Sequence, residues 1–140
     1  MIPGTFGESA PALSPDGKWV AYQSDETGQM EVYVRPYPGP GARVSVSLHG
    51  GTEPAWAHGG GRELYFREGD SLMAATVVVS PAFAVTGRRL LFTGAFASGD
   101  SYREYDVAPD DRHFVMLSGG AGRSVLIGLQ HAFERLAPTR

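Results

Sequence analysis

Short apolar runs, separated by clusters of glycine, proline, serine and aspartate at intervals of roughly ten residues, recur along the whole chain, a rhythm that predicts strands rather than helices. The runs favour β-branched and aromatic residues, which suit a pleated, half-buried surface. The stretch PALSPDGKWVAY, residues 11–22, shows the unit most plainly: two apolar runs hinged on Ser14-Pro15-Asp16-Gly17. Pro15 presets φ for a turn, Asp16 can hydrogen-bond its own backbone, and Gly17 accepts the left-handed conformation that closes it. A β-hairpin is therefore predicted here, with Gly17 at positive φ.

The hairpin repeats. It returns as PAWAHGGGRELYF at 54–66 and as YDVAPDDRHFVM at 105–116, with Leu13, Trp56 and Val107 in corresponding places 43 and 51 residues apart. A repeat near that length fits one four-stranded propeller blade, about 40–45 residues in a related class. The predicted first strands cover 10–14, 53–57 and 103–108, the second 18–24, 62–68 and 112–118, and the third 30–35, 71–79 and 123–130. Fourth strands fit only 43–48 and 88–93. The expected fold class is all-β, a partial β-propeller of nearly three four-stranded antiparallel blades. Blade 1 spans about 8–48, blade 2 about 52–93, and blade 3 about 102–131 without its outer strand, before a short helical turn at 131–137.

At these residues the chain resembles the TolB-like β-propeller repeat family, whose unit is built on a Ser-Pro-Asp-Gly turn before an apolar strand. It is most similar to the propeller regions at the C-termini of bacterial serine/threonine protein kinases, through SPDGKWVAYQSDETGQMEVYVRPYPGPG, GGTEPAW and LYF. The ending SVLIGLQHAFERLAP is similar to that group's closing strand and helix, with His131-Ala132 where Asn-Trp is usual. The resemblance implies a non-enzymatic sensory or interaction module, since kinase residues would lie upstream.

Composition narrows the chemistry by exclusion. The 140 residues carry 12 basic and 15 acidic side chains, a net charge of −3, without a basic stripe, so neither nucleic acid nor anionic membrane is an expected partner. There is no cysteine, hence no disulfide or thiol chemistry. The longest apolar run, residues 73–79 broken by Thr76, is far too short to span a bilayer, and MIPGTFGES shows no secretory signal, although the chain can be a piece of a longer one. His49, His58, His113 and His131 lack zinc-site spacing, and Asp16, Asp110 and Asp111 lack the calcium-loop pattern. No Gly-x-Ser-x-Gly elbow occurs, and the glycines at 50–51, 59–61 and 119–122 lack a phosphate-loop Gly-Lys-Ser/Thr. These residues read as turns. Trp56 reads as core between blades, while Trp19 fits core or a stacking surface equally. No catalytic residue, cofactor or metal is expected.

One constellation points to binding. Glu53 and Glu104 hold equivalent places at the start of first strands, with Tyr102 and Arg103 beside the latter. First strands line a propeller's channel, whose mouth is a common ligand site. Glu53, Tyr102, Arg103 and Glu104 are therefore the candidate residues for a small polar ligand or a partner protein's loop. Nearly three blades fall short of the typical four to eight, so the expected assembly is a homodimer closing a six-bladed ring. Residues 2–6 would supply the partner's missing outer strand. The rival readings are the propeller lid of a prolyl-oligopeptidase-type hydrolase, which would need an α/β-hydrolase domain, and a structural remnant without a ligand.

Overall fold

The computed structural model describes residues 8–59, 62–79, 81–96, 103–117 and 126–130. Among them the chain is all-β, with three antiparallel sheets laid down in chain order and no helix. The first sheet runs β1 (Glu8–Leu13), β2 (Trp19–Ser24), β3 (Glu31–Pro36) and β4 (Val44–Ser45). The second runs β5 (Thr52–Trp56), β6 (Glu63–Glu68), β7 (Ser71–Val78) and β8 (Ala84–Thr93). The third holds β9 (Tyr105–Val107), β10 (His113–Leu117) and β11 (Leu126–Gln130). Each is a meander in which every strand pairs with its sequence neighbour. The expected turn at 131–137 and the strand role of residues 2–6 lie outside the described residues.

The hairpin turns follow the chemistry of their residues. In the first, the Gly17 N–H donates to the Ser14 carbonyl at 2.8 Å, and Gly17 sits at φ +75°. Asp16 Oδ1 accepts from the Ser14 hydroxyl at 2.7 Å and the Lys18 N–H at 3.0 Å. These bonds, the Ser14 hydroxyl first, hold the Asp16 carboxyl below its ordinary value of 3.8. The third turn has Ala108 in place of Ser14, and Asp110 Oδ1 takes over, accepting from the Arg112 N–H at 2.8 Å and the His113 N–H at 3.2 Å. Asp111 occupies the glycine's place at φ +59°, a conformation that Asp tolerates. Gly17→Val should cost about 1–2 kcal/mol, measurable by chemical denaturation, because the β-branched residue is strained in that backbone conformation. No heavy atom lies within 4 Å of the added Cβ, so the cost is torsional.

Two cores hold the sheets together. Between the first and second sheets lie Ala21, Val32, Val34 and Val46 against Trp56, Leu64, Phe66, Ala75 and Val77. Between the second and third lie Tyr65, Leu72, Ala74 and Leu91 against Tyr105, Val107, Phe114 and Met116. Strand alternation explains the division: Leu64 and Phe66 project to one side of β6 and Tyr65 to the other. The middle sheet is buried on both faces, which is why Leu64, Tyr65 and Phe66 read as an unbroken apolar run.

The outer strands depart from expectation in opposite ways. β4 keeps only two residues of the expected 43–48: beyond them the Val46 N–H still donates to the Val32 carbonyl at 2.8 Å, but the Ser47 side chain takes the return bond. The Ser47 hydroxyl accepts the Val32 N–H at 2.8 Å and donates to the buried Glu31 carboxylate. β8 extends to ten residues, since the eight-residue β7 gives it a partner as far as Ala84. Two register breaks, at Leu72/Met73 and Thr76/Val77, absorb the mismatch.

Candidate functional site

The first strands of the three sheets, β1, β5 and β9, meet along one cleft of about 350 Å³. Pro11, Leu13 and Pro15 line it from the first sheet, Trp56 and His58 from the second, and Arg103 and Asp106 from the third. The local backbone that sets these strands is unusual. Ala10 and Glu53 adopt left-handed conformations at φ +52° and +56°, each just before a proline. Each lies where the pairing register breaks, between Ser9 and Ala12 and between Thr52 and Ala55. These are β-bulges, which turn a strand's groups away from its own ladder.

The cleft's polar chemistry comes from three side chains. The Arg103 Nε–H donates to the Tyr105 carbonyl at 2.9 Å, and its Nη2 lies 3.4 Å from Asp106 Oδ1. Asp106 is exposed and also accepts the Val107 N–H at 2.8 Å. His58 Nε2 lies 2.8 Å from the Val107 carbonyl. A carbonyl only accepts, so that nitrogen carries a proton. The cleft thus presents a fixed cation, a carboxylate and an imidazole beside apolar proline and leucine surface. A ligand with both charges, or a polar loop with an apolar residue, matches this lining.

A carboxylate from the third sheet braces the same edge. Asp111 Oδ1 accepts the His58 N–H at 2.7 Å, and Oδ2 accepts the Gly59 N–H at 2.8 Å. The second turn has no aspartate of its own, having Gly59 where the others have Asp16 and Asp110. Its His58 and Gly59 amides are satisfied by the neighbouring repeat.

Of the residues singled out in the sequence, Arg103 lines the cleft and Tyr102 lies outside the described residues. Glu53 and Glu104 do meet, but through one side chain and one backbone group. Glu53 is fully buried, and its Oε1 accepts the Glu104 N–H at 2.7 Å. The Glu53 N–H donates to Gln23 Oε1 at 2.8 Å, and its carbonyl accepts the Tyr105 hydroxyl at 2.8 Å. Burial raises the Tyr105 pKa well above its ordinary value, so the hydroxyl stays a donor. Glu53 therefore links the three sheets and is not part of the cleft lining.

Asp106 and His58 were not singled out as binding residues. Asp106 could have been found, as a polar residue between Tyr105 and Val107 where the other two copies carry Ala12 and Ala55. His58 stands in the place of Pro15 and Pro109, and nothing local marks its contact with Val107, 49 residues away. Trp56 packs between the first two sheets with its Nε1–H on the Ala12 carbonyl at 2.8 Å. Trp19 leans on Phe83, ring centroids 5.2 Å apart. Among the described residues, no group of three or more His, Cys, Asp or Glu side chains could hold a metal ion, and no helix is long and apolar enough to cross a membrane. No protein-family model and no curated protein matches the chain.

Proposed function

We propose that this chain is a non-enzymatic binding or scaffold module, a partial β-propeller whose ligand face is the cleft along β1, β5 and β9. In a longer parent it would be the sensory or interaction part of a kinase-like protein. The observation that carries the reading is the convergence of three first strands on one cleft, lined by Arg103, Asp106 and His58. Three sheets packed in chain order through two apolar cores support the blade assignment. Each contributes its first strand to the same side, as blades around a channel do.

Three blades do not close a ring, and two copies related by a two-fold axis would make six. The ligand site is then shared, with half of its wall from each copy. Light scattering should return twice the 14.9 kDa chain mass even in dilute solution, and a folded monomer would remove the ring. For binding, the isotope-labelled chain is titrated with free amino acids and dipeptides, which carry both charges. Amide shifts are expected at residues 55–58 and 103–107 and should be lost in Arg103→Ala. Shifts that persist unchanged in the variant, or no shifts at all, would take the cleft out of the proposal.

A further inference from the structure

The first strands carry a repeating device that the three described sheets leave one step unfinished. The Glu53 N–H, turned out of its own ladder by the bulge, is received by Gln23 on β2 of the preceding sheet. The Glu104 N–H, one repeat later, is also received by a side chain of the preceding sheet, here Glu53 on β5. The registers Ser9↔Gln23 and Thr52↔Arg67 show that Arg67 occupies the place of Gln23. Continuing β10 past Met116↔Tyr105 brings Leu117 to that place in the third sheet.

The two positions vary together. Where the second strand supplies an acceptor, Gln23, the bulge position is Ala10, which has none in its side chain. Where the second strand supplies Arg67, which only donates, the bulge position is Glu53. The third sheet pairs Leu117, which cannot accept, with Glu104. Every sheet thus carries one acceptor for the first strand of the sheet that follows. For the first two sheets that acceptor is in use. The carboxylate of Glu104 has no hydrogen-bond or ion-pair partner among the described residues, and these hold no fourth sheet to receive it.

The matching donor is at the other end of the chain. Ala10 shares the left-handed bulge of Glu53, so its N–H faces the side on which a preceding sheet would stand. We infer that Glu104 of one copy caps the Ala10 N–H of a second copy, continuing at the subunit boundary the link that Gln23 and Glu53 make within the chain. This rests on the ring proposed above and names the residues that set its register.

The test uses the full chain, with sedimentation equilibrium for the dimer constant and amide hydrogen exchange for Ala10. Glu104→Ala removes the cap at both boundaries of the two-fold ring, so it should weaken dimerisation by about thirty-fold or more, the effect of leaving two desolvated donors unpaired, and should speed exchange at Ala10. Glu104→Gln keeps an acceptor oxygen and should restore both. Circular dichroism of each variant confirms that the sheets are intact. A native dimer that Glu104→Ala leaves unchanged, or that Glu104→Gln disrupts equally, overturns the capping role while the ring stands. A native chain that is monomeric at every concentration overturns both.

Discussion

Phe114→Ala should lower the free energy of unfolding by about 3–5 kcal/mol, the usual cost of removing a buried aromatic ring. Phe114 on β10 is fully buried. It meets the Tyr65 ring edge-on, with centroids 5.0 Å apart and planes at 84°, and the Phe92 ring at 5.8 Å. Both partners belong to the second sheet, so this one side chain carries much of the packing between the second and third sheets. Among the described residues no strand pairing crosses that boundary to compensate. Truncation leaves a void walled by rigid rings, which collapse poorly around it. Urea unfolding monitored by circular dichroism measures the loss. A cost below about 1 kcal/mol, as at a surface site, would mean that the two sheets do not pack through this ring.

Glu53→Ala should cost about 1–3 kcal/mol, because it strands the part-buried N–H of Glu104 without an acceptor. Backbone strain does not confuse the result, since Ala10 already adopts the same left-handed conformation in the first sheet. Glu53→Gln retains Oε1 and should cost less than Glu53→Ala. The comparison separates two roles for the residue. A solvated glutamate at a channel mouth could be replaced at a cost within about 0.5 kcal/mol. A buried one that ties its sheet to the next could not, and thermal or urea unfolding of the two variants decides between them.

Glu53 also marks the limit of what the sequence discloses. The hairpins were legible because their determinants are local: Ser14, Asp16 and Gly17 bond to one another within a few residues. So were most strands, since Leu64, Tyr65 and Phe66 make a run that only a sheet covered on both faces can bury. The fate of Glu53 depends on Gln23 and Glu104, 30 and 51 residues away, and no local pattern encodes that meeting. A charged residue before a proline reads as solvent-facing until the bulge that turns it inward is known. The same holds for β4, where the Ser47 hydroxyl takes the Val32 N–H from a ladder that the apolar spacing alone would have prolonged. Arg103 was found because it flanks a first strand, while Asp106 was overlooked although its two counterparts are alanines.

The loan of Asp111 to the second turn bears on how such a chain can evolve. Arrays of repeats often lengthen or shrink by whole units, because each copy carries what it needs. Here the middle copy does not: the His58 and Gly59 amides depend on a carboxylate encoded 52 or 53 positions later. Cutting away the third copy would leave those amides without their acceptor, and transplanting the second elsewhere would require an aspartate to travel with it. The three units have ceased to be interchangeable, and recombination between them is penalised at this joint even where their sequences remain alike.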